Sequence, residues 1–122
     1  MTQARNQTTS SPIHTVDVAH PPLPAAETEA ILLQSWSEVR NSPTLRLMKI
    51  IHGYGSSGKG GSTREVVRLW GFRNRKKFRD IIDGESYNPY HAQVQEIRKE
   101  LGLFEDQDLW TPNPGITIFW VK

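Results

Sequence analysis

A glycine-rich run, HGYGSSGKGGS at residues 52–62, separates two segments of opposite character. Before it, Leu45, Leu47, Met48, Ile50 and Ile51 form an apolar stretch broken only by Arg46 and Lys49, the pattern of a strand covered on at least one face. After it, Ser62 and Glu65 make the S-x-x-E capping box that opens a helix, with Val66, Val67, Trp70 and Leu69 as inward candidates. A strand that ends in glycines and feeds a helix leaves backbone N–H groups unpaired at the junction. The run therefore predicts an α/β unit whose connecting loop faces an anion. The alternative is a plain strand-to-helix connection.

The flanking segments extend this unit. Residues 13–18, IHTVDV, alternate as a short strand that ends before His20 and the helix-excluding pair Pro21 and Pro22. From Pro24 onward, AAETEAILLQSWSEV is rich in helix formers and stops at Asn41-Ser42-Pro43. Its face is drawn either by Ala26, Ala30, Leu33 and Ser37 or by Ile31, Gln34 and Glu38. The capped helix is expected over residues 63–77, with Gly71 inside it. A short strand at 78–82, a turn at Asp83-Gly84, a helix capped by Asn88-Pro89 and stopped by Gly102, and a last strand at 116–121 complete the order. Alternation of this kind predicts a small α/β layer with a parallel crossover between the first two strands. Ligands of such sheets gather at the carboxyl ends of strands, which puts Asp17, His20, His52 and the glycine run on one edge.

With 122 residues the chain holds one domain, expected over residues 13–122. Residues 1–12 carry no large apolar side chain after Met1 and are expected to form a disordered tail. The lack of cysteine excludes disulfides, thiolate zinc sites and cysteine nucleophiles, leaving His, Asp and Glu as proton carriers. Four histidines without close paired spacing assign no metal site. His14 and His91 have no motif around them and are expected to face solvent or to pack. No stretch approaches the roughly 18 apolar residues of a membrane span, so a soluble, cytoplasmic protein is expected, with no membrane partner. The net charge of +2 is uneven: Arg64, Arg68, Arg73, Arg75, Lys76, Lys77 and Arg79 face only Glu65 and Asp80 nearby in sequence. Trp70, Phe72 and Phe78 lie among them. Such a block reads either as a nucleic-acid contact with stacking aromatics or as a solvated face over core aromatics.

The glycine run also matches two nucleotide loops in part. Read from Gly53 it begins as G-x-x-x-x-G-K, but Gly60 follows Lys59 where a triphosphate loop needs the Ser or Thr that holds magnesium. The dinucleotide fingerprint G-x-G-x-x-G needs an acid at the end of the next strand, and Asp80, at about the right distance, stands in the basic block. No nucleotide cofactor is expected. The anion that such a loop faces can instead be a nucleic-acid phosphate.

Three motifs in order carry a family resemblance: V-D-V at residues 16–18, I-I-H-G-Y-G at 50–55 and G-I-T-I-F-W-V at 115–121. Together they resemble the small MutS-related (Smr) domain, which has L-D-x-H on its first strand, H-G-x-G or T-G-x-G after the second, and a glycine before a final G-x-T strand. The resemblance spans residues 13–122. It implies a small two-layer α/β sandwich of βαβα type with a mixed sheet, similar to the C-terminal domain of bacterial translation initiation factor three. It also implies a DNA or RNA partner, with DNA-nicking or RNA-cleaving endonuclease activity as in several members. Asp17 matches the acid of the first motif. The family's histidine falls on Ala19, and His20 stands one place later, able to substitute only where the strand has already ended. His52, Gly53 and Gly55 match the second motif, and Gly115 the third. The segment 78–109 is long for such a domain.

These readings make Asp17 and His52 the candidate catalytic residues. His20, Gly53, Gly55, Gly58, Lys59, Gly60, Arg64, Arg73, Arg75, Lys76 and Lys77 are the candidate phosphate contacts. Any divalent metal is expected to arrive with the substrate. The alternative function is a non-catalytic nucleic-acid-binding module built on the glycine loop and the basic helix. On that reading Asp17 caps its turn and His52 is a structural histidine.

Overall fold

The structure, a computed structural model, describes residues 11–54 and 62–122. Seven main elements follow in the expected order: β1 (Ile13–Asp17), α1 (Ala25–Arg40), β2 (Leu47–Ile51), α2 (Thr63–Arg73), β3 (Phe78–Asp83), α3 (Ala92–Leu101) and β4 (Ile116–Val121). The strands form one mixed sheet in the order β1-β2-β4-β3. β1 and β2 are parallel, with Val16 opposite Ile50, whereas β4 runs antiparallel to both β2 and β3. The α/β class and the mixed sheet are as the sequence predicts, and the structure adds that the last strand inserts between the second and the third. Among the described residues no helix is long and apolar enough to cross a membrane.

Strand alternation divides the apolar side chains between two cores. Met48, Ile50, Phe119 and Val121 join Leu32 and Val39 of α1 and Val67 and Trp70 of α2 on one face. Leu47, Ile116, Ile118 and Trp120 join Val94 and Ile97 of α3, with Tyr87, Phe104 and Leu109, on the other. The long segment between β3 and β4 is what covers this second face. All six residues of β4 are buried in consequence, so its near-continuous apolar pattern reflects cover on both sides. Each large aliphatic side chain fully removed from water there stabilises by about 1.5–3 kcal/mol.

Local details differ from the sequence pattern for identifiable reasons. The buried stripe of α1 is Thr28, Leu32, Ser35 and Val39, which is neither of the two faces drawn from the sequence and leaves Leu33 49% exposed. Three adjacent apolar residues, Ile31 to Leu33, satisfy several helical phases equally well, and packing against the sheet selects the middle one. α2 stops at Arg73, short of Lys77, because the Asn74 side chain donates to the Trp70 carbonyl at 2.8 Å and a single 3-10 turn, Arg75–Lys77, follows. Leu69 points outward. Gly71 is needed where it stands: a Cβ there would lie 2.8 Å from the Phe119 ring, so glycine lets α2 approach β4. α3 is capped by His91, whose Nδ1 accepts from the Gln93 N–H, and Asn88 instead shapes the turn before it. Gly84 has backbone for a neighbour, with a Cβ there placed 1.9 Å from the Asn113 carbonyl oxygen.

Lys49 occupies a position on the second face where the strand period asks for an apolar residue, and it is 7% exposed. Its Nζ donates to Asp106 Oδ1 at 2.6 Å and Asp108 Oδ2 at 2.7 Å, while the Tyr87 hydroxyl donates to Asp106 Oδ2 at 2.8 Å. This buried triad ties the loop before β4 to the middle of the sheet.

Candidate functional site

The carboxyl ends of the parallel strands β1 and β2 lie side by side, with Asp17 opposite Ile51. β1 ends at Asp17, so the condition for His20 to serve is met: the chain has left the strand before reaching it. A turn brings the imidazole back. Asp17 Oδ1 accepts from the backbone N–H of Ala19 at 2.8 Å and of His20 at 3.1 Å, and Oδ2 lies 2.8 Å from His20 Nδ1. An ionised carboxylate only accepts, so Nδ1 carries the proton and the Nε2 lone pair points elsewhere. The His20 side chain is 73% exposed, which leaves Nε2 open to solvent or a ligand. Partial burial raises the Asp17 carboxyl, but the Ala19 N–H, the His20 ring and the His20 N–H outweigh it and hold it below its ordinary value.

His52 is held differently. It is buried, with Nδ1 2.8 Å from the Gly53 carbonyl oxygen and Nε2 2.8 Å from Thr117 Oγ1. The carbonyl can only accept, which makes Nδ1 the donor and Nε2 the acceptor of the threonine proton; Arg68 Nε in turn donates to Thr117 Oγ1 at 3.2 Å. Both ring nitrogens are thus engaged by the protein. Burial pushes His52 below its usual value; the Gly53 hydrogen bond opposes this, and the Arg68 and Arg64 guanidiniums add to it.

That direction has a measurable consequence. A histidine whose folded value is depressed contributes stability that is complete above its unfolded value, near 6.5, and is lost as pH falls through the folded one. Urea unfolding between pH 8 and pH 5 is expected to show stability declining towards acid, with a shallower decline in His52→Gln. An equal slope in the two proteins would remove His52 as its source.

The first and second motifs meet at Gly53. It has φ 81, the left-handed region that glycine enters freely, and a Cβ there would lie 3.8 Å from Ala19 Cβ. The backbone N–H groups of His52 and Gly53 both donate to the Gly115 carbonyl, at 2.9 and 3.1 Å, which brings the third motif to the same point. Gly115 is close to Tyr54: a Cβ there would lie 3.2 Å from the tyrosine ring. Beside these turns opens a cleft of about 610 Å³, lined by His20, Gly53, Tyr54, Asp108, Asn113 and Gly115 among others. Arg64, in the first turn of α2, donates to the Tyr54 carbonyl at 3.0 Å and so ties the helix to the start of the glycine run. Gly55, Gly58, Lys59 and Gly60 lie outside the described residues.

The basic block sits elsewhere. α2 has 11 residues and is about 16 Å long, and Arg73, Arg75, Lys76 and Lys77 stand at or beyond its far end from the glycine run. Several of these cations have partners distant in sequence. Arg73 pairs with Glu29 at 2.7 Å, Arg79 with Glu100, and Arg64 and Arg68 with Glu85. Arg75 lies 4.3 Å from the Phe72 ring centroid and Lys77 4.5 Å from that of Trp36. Trp70 and Phe78 belong to the core, whereas Phe72 is exposed. Among the described residues no three His, Asp or Glu side chains come together as a metal site.

Tyr54, Arg68, Thr117 and Asn113 contribute to this region without being singled out by the sequence. For Tyr54 the signal was present, since it is the variable residue of H-G-Y-G. Arg68 and Thr117 meet only because α2 crosses β4.

No family model matches the sequence, and no curated protein matches it either. Among solved structures, the crystal structure of the Smr domain of Thermus thermophilus MutS2 superposes with a TM-score of 0.51, covering 90% of this chain and 96% of that one at 16% identity. With the sheet order, the clustered strand ends and the Gly53 turn, that superposition gives this chain an Smr-like fold.

Proposed function

We propose that this Smr-like domain binds DNA or RNA at the carboxyl ends of β1 and β2 and cleaves a phosphodiester there. The observation that carries the reading is the Asp17–His20 pair, 2.8 Å apart, open to solvent beside the Gly53 turn. A carboxylate that fixes the Nδ1 tautomer leaves Nε2 as a base, able to take a proton from water or a ribose hydroxyl as that oxygen attacks phosphorus. The imidazolium formed is stabilised by Asp17 and can return its proton to the leaving oxygen as the P–O bond breaks. Backbone N–H groups of a glycine run entering α2 are suited to the phosphate charge. His52, with both nitrogens bonded, serves in this reading as the residue that positions Gly53.

A binding module without catalysis is the second reading. It is favoured by the pairing of Arg64 and Arg68, which reach Tyr54 and Thr117, with Glu85, since this leaves fewer guanidiniums available to a transition state.

The test is incubation of the purified chain with labelled single-stranded and duplex DNA and RNA, with EDTA, magnesium or manganese, scored for binding and cleavage together. Binding is expected to weaken steeply with salt, by about one unit of log–log slope for each phosphate contact. Absence of binding to every probe at low salt would refute both readings.

A further inference from the structure

The cleft beside His20 differs from a phosphate site in its charge. Its lining sets Asp108 against Lys49, 2.7 Å apart, so these two charges balance and no cation is left over for a phosphate. A phosphate gains little from such a paired lining, whereas the N–H groups of a neutral heterocycle can be accepted by the Asp108 carboxylate. At the rim stands Tyr54, 65% exposed, an aromatic ring that the fold leaves in water although it is anchored on both sides. Its carbonyl is held by Arg64, and its ring rests against the bare Cα of Gly115. Asn113, which donates to Asp108 Oδ1 at 3.0 Å and accepts from the Gly115 N–H at 2.9 Å, fixes the lining between Asp108 and Gly115. The volume of about 610 Å³ lies within the range of small-ligand sites and exceeds what one heterocyclic base needs.

We propose that this cleft receives one unpaired nucleobase, stacked on Tyr54 beside Asp108, with the adjoining phosphate left at the rim near His20 and Gly53. The proposal rests on the reading that the domain binds nucleic acid and names the form of nucleic acid it takes. In a duplex both faces of a base are stacked and its edge is paired, so only a single-stranded or extruded nucleotide presents a free face to Tyr54. Selection is then for unpaired strands over duplex, whichever the sugar.

Fluorescence anisotropy in EDTA, with the full chain and labelled ten-nucleotide single strands and blunt duplexes of DNA and RNA, separates the possibilities. Wild type is expected to favour single strands. Tyr54→Ala is expected to weaken single-strand binding roughly 5-fold or more, the effect of losing one base stack, and to leave duplex affinity within about twofold. Tyr54→Phe, which keeps the ring, should behave as wild type. A 2-aminopurine placed in the single strand should be quenched by wild type and less so by Tyr54→Ala. Equal losses on single strands and duplex, or no loss on either, would overturn the base pocket while nucleic-acid binding stands. Failure of every probe to bind wild type would overturn both.

Discussion

Replacing Lys49 by methionine is expected to destabilise the fold by about 3–5 kcal/mol, the range for removing one partner of a buried ion pair. Methionine suits the space and the strand, so the loss is electrostatic. It would strand the Asp106 and Asp108 carboxylates, which lie 2.6 and 2.7 Å from Nζ in wild type, without a counter-ion. Against a total stability of about 5–15 kcal/mol for a domain of this kind, that is a large share. Converting both acids to asparagine in the methionine background should recover most of it, because the triad acts through its charge balance. The penalty is also expected to shrink at low pH. In wild type partial burial raises Asp108, but the Lys49 and Asn113 hydrogen bonds outweigh it and keep it below its ordinary value, so its contribution is lost as pH falls through the folded value. In the variant an unpaired buried carboxyl shifts upward and gains from acid. Urea titrations at pH 7 and pH 4 measure both effects, and an unchanged midpoint at pH 7 would show that the triad contributes nothing net.

The consequence reaches the site, since the loop that Asp106 and Asp108 anchor continues into Asn113 and Gly115. Gly115 receives the backbone N–H groups of His52 and Gly53, and Asn113 fixes the Gly115 N–H. Stability on the second face of the sheet and geometry at the strand ends are therefore coupled through one short segment.

What was legible in the sequence was whatever a few neighbouring residues decide. The apolar run through Ile51, the Ser62 cap with Glu65, and the β-branched pattern of residues 116–121 act locally, and each gave its element. The ends of β1 and β2 were legible too, because Pro21, Pro22 and the glycines forbid continuation. Facts that depend on distant residues were not. The phase of α1 was decided by the sheet beneath it. The acids that pair with the basic block, Glu29, Glu85 and Glu100, come from other elements, so counting local charges overstated how bare the block is. A histidine at a strand end reads the same whether its ring turns inward or outward: His52 turns to Thr117 and is buried, while His20, one place off the expected position, folds back to Asp17.

That contrast between the two histidines sets the second large effect. Asp17→Asn keeps the side-chain shape but no longer enforces a proton on His20 Nδ1, and it removes the charge that would stabilise an imidazolium. Cleavage is expected to fall by about 10²–10⁴, the usual share of a general acid–base group, with nucleic-acid affinity nearly unchanged. His20→Ala should cost a similar factor, and the double variant should lose little more than either single one, since the two side chains act as a unit. His52→Gln is the informative control. Its loss should come mainly through stability and its pH dependence, so at pH 8 and low temperature, with the fold intact, most cleavage should remain. Nicking of supercoiled DNA and end-labelled RNA cleavage, followed as single-turnover rates with affinities measured in parallel, distinguish the cases. Full cleavage in the Asp17→Asn, His20→Ala protein would remove the pair from the chemistry. If wild type binds but leaves every substrate intact, Asp17 is a turn cap and the domain a binding module. As an imidazolium held by Asp17, His20 would then donate its exposed Nε2–H to phosphate, a role in which alanine weakens binding instead of catalysis.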